Sequence, residues 1–179
     1  DGKPITKFGK AFMQLGIGRI GEFQFPVLFA LTLILLSSPL MFHVKWGNYV
    51  QALGGSETAL KRSGVRTGFY RISVHVFLGI TAAVTAVIIT ARLNSAEPNA
   101  GMNMELDAIT AVIMGGTPIR GGNASIAGTV LAVLILGIIR NGLTLLSVSS
   151  DFQQWVTGFL LLASVLISEI RVWNTRALI

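Results

Sequence analysis

The five longest uncharged stretches of this chain constrain its fold more than any other feature. Between Glu22 and Lys45 lie 22 uncharged residues, between Arg71 and Arg92 lie 20, between Asp107 and Arg120 lie 12, between Arg120 and Arg140 lie 19, and between Asp151 and Glu169 lie 17. A helix rises about 1.5 Å per residue and the hydrocarbon core of a bilayer is roughly 30 Å thick, so about 17–25 apolar residues are needed to cross it. Four runs meet that length. The run of 12 is too short for a straight crossing and is expected to be a half-helix or broken segment buried in protein, because unpaired backbone is not tolerated against lipid. Composition agrees with a bilayer setting. Apolar residues make up 52%, charged residues 12%, and mean hydropathy is +0.69. A soluble domain carries about 25% charge, and intrinsic disorder needs low hydrophobicity. The absence of cysteine excludes a disulfide scaffold.

The formal charge of +6 invites a nucleic-acid reading, but the basic residues sit in the gaps between apolar runs, so no nucleic-acid partner is expected. Their distribution instead gives an orientation. The segment 45–71 holds Lys45, Lys61, Arg62, Arg66 and Arg71 against Glu57 alone, which places it in the cytoplasm. The segment from Arg92 to Asp107 holds one base against Glu97, Glu105 and Asp107 and is placed outside. If the short run from Ala108 to Ile119 crosses, Arg120 and the tail with Arg171 and Arg176 are inside and Asp151 is outside. If it does not, those assignments invert. Charge favours the crossing. The expected fold class is all-α: a polytopic transmembrane helix bundle of about five passes, one of them short and broken. The opening segment, with Lys3, Lys7, Lys10 and Arg19 against Asp1 and Glu22, opposes this topology, which puts it outside. No signal-peptide pattern precedes it. Residues 1–24 are expected to be an outer loop and residues 25–179 a transmembrane domain, the later part of a longer protein.

Several motifs fail on context. Gly16-Ile17-Gly18-Arg19-Ile20-Gly21 matches the dinucleotide fingerprint, but no strand pattern precedes it and no acid follows about 20 residues later. Gly115, Gly116, Gly121 and Gly122 do not form a Walker A loop, since no Gly-Lys-Ser/Thr follows. Asn123-Ala124-Ser125 is a formal glycosylation triplet placed inside by the topology. His43 and His75 lie near the cytoplasmic ends of spans, yet two histidines without a nearby Cys or acid make a poor metal site, so no metal is expected. No carboxylate pair or Ser/His/Asp set lies within a span, and no enzymatic role is expected. Small residues recur on one face at Gly79, Ala82, Ala83 and Ala86, and again at Ala124, Gly128 and Ala132. They are expected to be helix-packing faces.

Three features remain. Ser56 can cap a short helix from about Glu57 to Ser63, with Glu57 favourable at its positive end and Gly64 stopping it, which would make a docking element for a soluble partner. The polar stretch Asn94 to Gly101, followed by the short run ending in Gly115-Gly116-Thr117-Pro118, would leave backbone groups unpaired where a cavity could accept them. Arg140, between apolar stretches, must snorkel, pair or face a polar path.

These residues together resemble the membrane permease subunit of ribose-type ABC sugar importers. The resemblance runs over essentially the whole chain, from Gly2-Lys3-Pro4-Ile5 through Ala52-Leu53-Gly54-Gly55, Ser63-Gly64-Val65, Ala91-Arg92-Leu93-Asn94-Ser95-Ala96 and Pro98-Asn99-Ala100-Gly101. It continues through Glu105-Leu106-Asp107-Ala108-Ile109, Gly115-Gly116-Thr117, Gly121-Gly122, Gly128-Thr129, Arg140-Asn141-Gly142-Leu143 and Gln153-Gln154. Each block alone is weak; their order and spacing make the set specific.

The resemblance implies the second half of a permease of about ten helices in the bacterial cytoplasmic membrane. Such a permease dimerises, binds a cytoplasmic ABC ATPase that holds the ATP and magnesium, and receives its sugar from an extracytoplasmic binding protein. No cofactor is implied in this chain. The loop within 45–71 corresponds to the coupling helix, carried by Gly54, Gly55, Ser56, Glu57, Thr58, Ala59, Ser63 and Gly64. The family pattern there is Gly-Gly-Asn-Pro-Glu-Ala-Ala. In this chain the acid stands one place early and Thr58 replaces it. Asn99, Gly115, Gly116, Thr117 and Asn141 are the candidates for a hydrogen-bonding sugar pathway. The implied function is a monosaccharide importer of the ribose, xylose or galactose kind. The alternatives are a branched-chain amino-acid permease, which shares the broken Gly-Gly segment, and a channel or anchor without ATP coupling.

Overall fold

The computed structural model describes residues 5–6 and 8–176. It is a helical protein with two short ladders, and its residues fall into two compact units, one formed by residues up to Leu53 with Glu57–Met102, the other by Gly54–Ser56 with residues from Asn103 onward.

In the first unit, β1 (Ile5–Thr6) pairs antiparallel with β4 (Ser95–Ala96), with Ile5 opposite Ala96. Helix α1 (Lys10–Ile17) is followed by a tight hairpin, β2 (Arg19–Ile20) against β3 (Phe23–Gln24), whose turn needs Gly21 at φ +66°. The span expected to be an outer loop, 1–24, therefore carries a helix and a hairpin. Gly16 is the reason α1 can dock: a Cβ there would lie 2.6 Å from the Cα of Arg92, so helix backbone meets helix backbone at the end of α5 (Thr67–Leu93). The glycines of the fingerprint-like motif thus serve a close approach and a turn.

Helix α2 (Phe25–Phe42) begins with Pro26 in its first turn, where a missing N–H costs nothing, and carries Pro39 near its end. The chain then turns through His43 and Val44 into α3 (Lys45–Gly55). Gln51 Nε2 donates 3.1 Å to the carbonyl of Met41, and buried Gly47 lets α3 begin against the last carbonyls of α2. Helix α4 (Glu57–Arg62) precedes the long α5, which ends on Asn94 in the left-handed region at φ 49°.

The second unit is built on α6 (Met104–Met114), α7 (Ile126–Leu145) and α8 (Ser150–Arg176). Four helical stretches in the chain are long and apolar enough to cross a membrane among the described residues: α2, α5, α7 and Ser150–Ile170 of α8. Helix α6 has 11 residues and rises about 16 Å, half of a crossing. It is the broken segment expected from the run of 12 uncharged residues. Arg171 and Arg176, expected in a tail, continue the backbone of α8.

The buried apolar residues are Leu60, Ala91, Ala111, Ile113 and Ala132 among those described, three of them alanine. Large side chains such as Leu35, Leu36 and Ile138 point outward. In lipid there is no hydrophobic force between helices, so small residues line their contacts and large ones face away.

Candidate functional site

The eight residues expected to form the coupling element divide between the units at Ser56: Gly54, Gly55 and Ser56 belong to the second, and Glu57, Thr58, Ala59, Ser63 and Gly64 to the first.

On the first-unit side, α4 ends one residue short of the expected Ser63, with Gly64 at φ +81° just beyond. The Ser63 hydroxyl donates 2.8 Å to the Leu60 carbonyl and the Gly64 N–H donates 3.1 Å to that of Lys61, closing the last turn. Leu60 is the residue of α4 that is buried. Glu57 anchors the other end. It takes an ion pair from Lys61 at 2.9 Å, a second from Arg71 in α5, and a 3.4 Å hydrogen bond from the Thr67 hydroxyl. The Lys61 hydrogen bond, together with the charges of Arg71 and Lys61, holds its carboxyl below the ordinary glutamate value against an opposing desolvation effect. A six-residue helix cannot stand alone in water. Here the pairs at Glu57 and the burial of Leu60 fix it to the start of α5.

On the second-unit side, Gly54 lies directly against the Gly121-Gly122 turn. A Cβ on Gly54 would approach the Gly122 nitrogen to 2.8 Å, and one on Gly121 would come within 2.9 Å of the Gly54 Cα. Gly121 and Gly122 have φ of +77° and +97°, which side chains rarely adopt. Both the contact and the turn therefore require glycine. Sequence reasoning singled out each glycine pair and did not join them; two Gly-Gly dipeptides at separate polar breaks are the signal that could have done so.

The turn belongs to the broken segment. Helix α6 ends in a Schellman motif: Gly116 at φ +92°, its N–H donating 3.0 Å to the Ile113 carbonyl, and the Thr117 N–H donating 3.2 Å to that of Val112. Gly115 sits on the first turn of α7, where an added Cβ would lie 2.6 Å from the Thr129 Cα. The Thr117 hydroxyl accepts the Ser125 N–H at 3.2 Å, and Ser125 in turn caps α7 through the Gly128 N–H at 3.3 Å. The backbone freed by the break is thus satisfied inside the protein, as a lipid setting demands. Thr110 (0% exposed), Ala111 and Ile113 bury α6 against its neighbours; of the small-residue face expected on the next span, Ala132 is buried on α7 and Gly128 packs against Gly115, whereas Ala124 precedes the helix.

At the opposite end of this unit, Arg140 pairs with Asp107 at 2.5 Å and donates a 3.5 Å hydrogen bond to the Thr157 hydroxyl. Asn103, Gln154 and Gly158 join them around a cavity of about 50 Å³. Of the options open to Arg140, pairing is the one it takes. Arg120, beside the Gly121 turn, pairs with Glu169 of α8 at 3.0 Å. The chain from Asp107 to Gly122 therefore runs from the Arg140 end of the unit to the Gly54 end, half as helix and half as turns and irregular backbone.

The pathway candidates are not gathered at one point. Gly115, Gly116 and Thr117 lie at the break, whereas exposed Asn141 is beside Arg140, 15 residues or about 22 Å along α7 from Ile126. Asn99 lies in the exposed turn of the first unit, where the Met102 N–H donates 3.2 Å to its carbonyl. His75 Nδ1 is 2.8 Å from the Arg71 carbonyl. Among the described residues no group of three His, Cys, Asp or Glu is placed to hold a metal.

Comparison with known proteins gives this geometry a context. The family model described as "Branched-chain amino acid transport system / permease component" matches residues 3–165. The ribose import permease protein RbsC of Escherichia coli K12 is 39% identical over 173 residues, covering 94% of this chain and 54% of the relative. RbsC of Bacillus subtilis is 37% identical over 171 residues, covering 94% and 53%. The D-allose transport system permease protein AlsC of E. coli K12 is 34% identical over 170 residues, covering 95% and 52%. The chain spans about half the length of the curated relatives it matches. No solved structure matches it.

Proposed function

The chain belongs to the permease-component family of branched-chain amino acid and sugar transport systems and is a multi-pass protein of the bacterial inner membrane, and on that premise we propose that it forms the ATPase-coupled half of a monosaccharide importer permease. The observation that carries this reading is the backbone contact between Gly54, at the docking segment, and Gly121-Gly122, in the broken crossing. An uncoupled channel or anchor has no use for such a joint. A lever does.

In this reading a cytoplasmic ATPase dimer, which holds the ATP and magnesium, grips α4. Closure of that dimer moves Glu57 to Gly64, and the displacement reaches Gly54. With no side chains between them, Gly54 and the Gly121-Gly122 turn cannot slip without losing contact, so the turn and the irregular limb from Gly115 to Gly122 move with it. The limb ends on Gly115, seated on α7, so α6 shifts against α7 and α8. The permease alternates between outward and inward access, biased by ATP through its different affinity for the two states. A neutral sugar needs hydrogen-bonding groups and no counter-charge. Asn99, Thr117 and Asn141 are the polar side chains assigned to its path, with Gly115 and Gly116 opening backbone at the break. The pathway binds weakly, because a tightly held sugar would not be released. An extracytoplasmic binding protein delivers the sugar, and a second permease completes the membrane dimer.

The sugar reading is favoured by relatives named for ribose and allose; the family description also names branched-chain amino acids, which makes an amino-acid permease the second reading. ATP hydrolysis in proteoliposomes separates them. These would hold the full-length permease with the ATPase and binding protein encoded beside it. Stimulation by a pentose or hexose is the expected result, whereas stimulation by leucine or valine alone would replace the substrate class. Gly64→Arg, which disturbs the end of α4, is expected to leave an assembled permease that no longer docks or drives its ATPase. Unaltered transport in that variant would falsify the coupling role.

A further inference from the structure

We infer that the first unit carries a binding site for an anionic phospholipid of the cytoplasmic leaflet. The site rests on the membrane setting and on the cytoplasmic placement of segment 45–71, and does not depend on the transported substrate. Its tail portion is an apolar groove of about 490 Å³ lined by Leu40, Trp46, Phe69, Ile72, Val76 and Ile80. From Phe69 to Ile80 the groove follows one face of α5 for 11 residues, about 16 Å, which is close to half of a roughly 30 Å hydrocarbon core. That is the depth of one acyl chain.

The head portion adjoins it. A cavity of about 410 Å³ lined by Tyr49, Val65, Arg66, Phe69 and Tyr70 shares the Phe69 wall with the groove. It lies at the start of α5, in the segment whose five basic residues face one acid. That acid, Glu57, is already held by Lys61 and Arg71. Arg66 forms no ion pair among the described residues, so its guanidinium remains for an anion. Phosphate is the anion that a planar fork of donors matches best.

The aromatic rings fix where the site sits. Trp46 donates its indole N–H 2.8 Å to the Ser73 hydroxyl, so its polar edge is satisfied while its ring walls the groove. Tyr49 and Tyr70 lie tilted against each other with centroids 5.1 Å apart, and Phe69 meets Tyr70 edge-on at 5.5 Å. Amphipathic rings of this kind collect at the headgroup level. Charge, rings and groove thus follow one another in the order of phosphate, glycerol region and chain. A basic pocket beside a membrane helix on the cytoplasmic side selects anionic headgroups over zwitterionic ones.

The test uses the full-length permease in phosphatidylcholine nanodiscs. These are doped with phosphatidylglycerol carrying a photoactivatable group on its acyl chain, or in parallel with phosphatidylcholine labelled in the same way. Crosslinks to residues 69–80 are expected from the phosphatidylglycerol probe in clear excess over the phosphatidylcholine probe. Arg66→Gln is expected to lower that yield about fivefold, the worth of one cation at an anionic surface, while Arg66→Lys keeps most of it. Equal labelling by the two probes, an Arg66→Gln variant that labels as well as wild type, or no crosslink in 69–80 would each overturn the site. The last result is the one expected if another part of the permease fills the groove. Should Arg66→Gln fail to fold, the wild-type contrast between the two probes still decides.

Discussion

Helices α5 and α6 differ in how closely the protein packs against them. On α5, Gly79, Ala82, Ala83 and Ala86 are all exposed, and a Cβ at Gly79 would meet nothing within 4 Å. On α6, Thr110, Ala111 and Ile113 are buried, and the helix ends with Gly115 against the backbone of α7. A 27-residue helix satisfies its own backbone across the whole bilayer and can stand with an open face. An 11-residue one cannot, since its freed groups must find partners inside the protein. Breaking a transmembrane helix therefore forces the tight packing around it. The glycines at the break are structural in a way that those of the intact helix are not.

The sharpest way to break this contrast is Gly115→Val. Its side chain would enter the backbone of Gly128 and Thr129, with overpacking expected to cost about 3 kcal/mol or more and to lower the thermal midpoint of the full-length permease markedly. A midpoint within a degree of wild type would mean that α6 is not seated on α7. Next is Asp107→Asn, which leaves Arg140 without its carboxylate and is expected to cost about 1.5–3 kcal/mol, reduced by the exposure of the pair. The reversed pair, Asp107→Arg with Arg140→Asp, should recover part of that loss. Additive losses in the double variant would show that the ion pair contributes nothing.

A smaller effect is expected from acid. Because the Glu57 pKa is lowered on folding, its pairs stabilise the α4 segment fully above the ordinary glutamate value. The contribution is lost as pH falls through the lowered value. Hydrogen exchange of α4 amides, corrected for intrinsic rates, should therefore be flat from pH 7 to pH 5 and rise only in stronger acid. Glu57→Gln should abolish the acid step. Smallest is Gly79→Ala on the open face of α5, expected to be neutral or stabilising by about 0.5–1 kcal/mol, since the added methyl meets no neighbour and stiffens the helix. A large loss there would show that the α5 face is covered in the full permease.

Much of this was legible in the sequence because a bilayer allows so few solutions. Uncharged runs of 22, 20, 19 and 17 residues became α2, α5, α7 and the apolar part of α8, and the run of 12 became the second half of α6 and the irregular limb after it. Gly64 ended α4 within a residue of expectation, because a positive φ is a local demand that glycine announces. What depended on distance was hidden. Helix α3 has a mixed composition with three glycines and Asn48, and it is held by Gln51 reaching back to Met41, which periodicity does not reveal. The partner of Arg140 lies 33 residues earlier in the chain, and the joint between Gly54 and Gly121 spans 67 positions. Glycine declares such contacts only through the absence of a side chain. The small-residue periodicities of α5 and α7 are alike on paper; only the fold distinguishes the packed face from the open one.

The most direct test of the account is sugar-stimulated ATP hydrolysis by the reconstituted importer carrying Gly54→Val. The added side chain would push the docking segment off the Gly121-Gly122 turn while leaving α4 and its ion pairs at Glu57 intact. The account predicts a complex that still binds its ATPase but loses most of the stimulation by sugar, at least about tenfold, the rate effect of a misplaced coupling element costing about 1.4 kcal/mol. Stimulation equal to wild type would contradict it, because force would then be reaching the broken segment by another route.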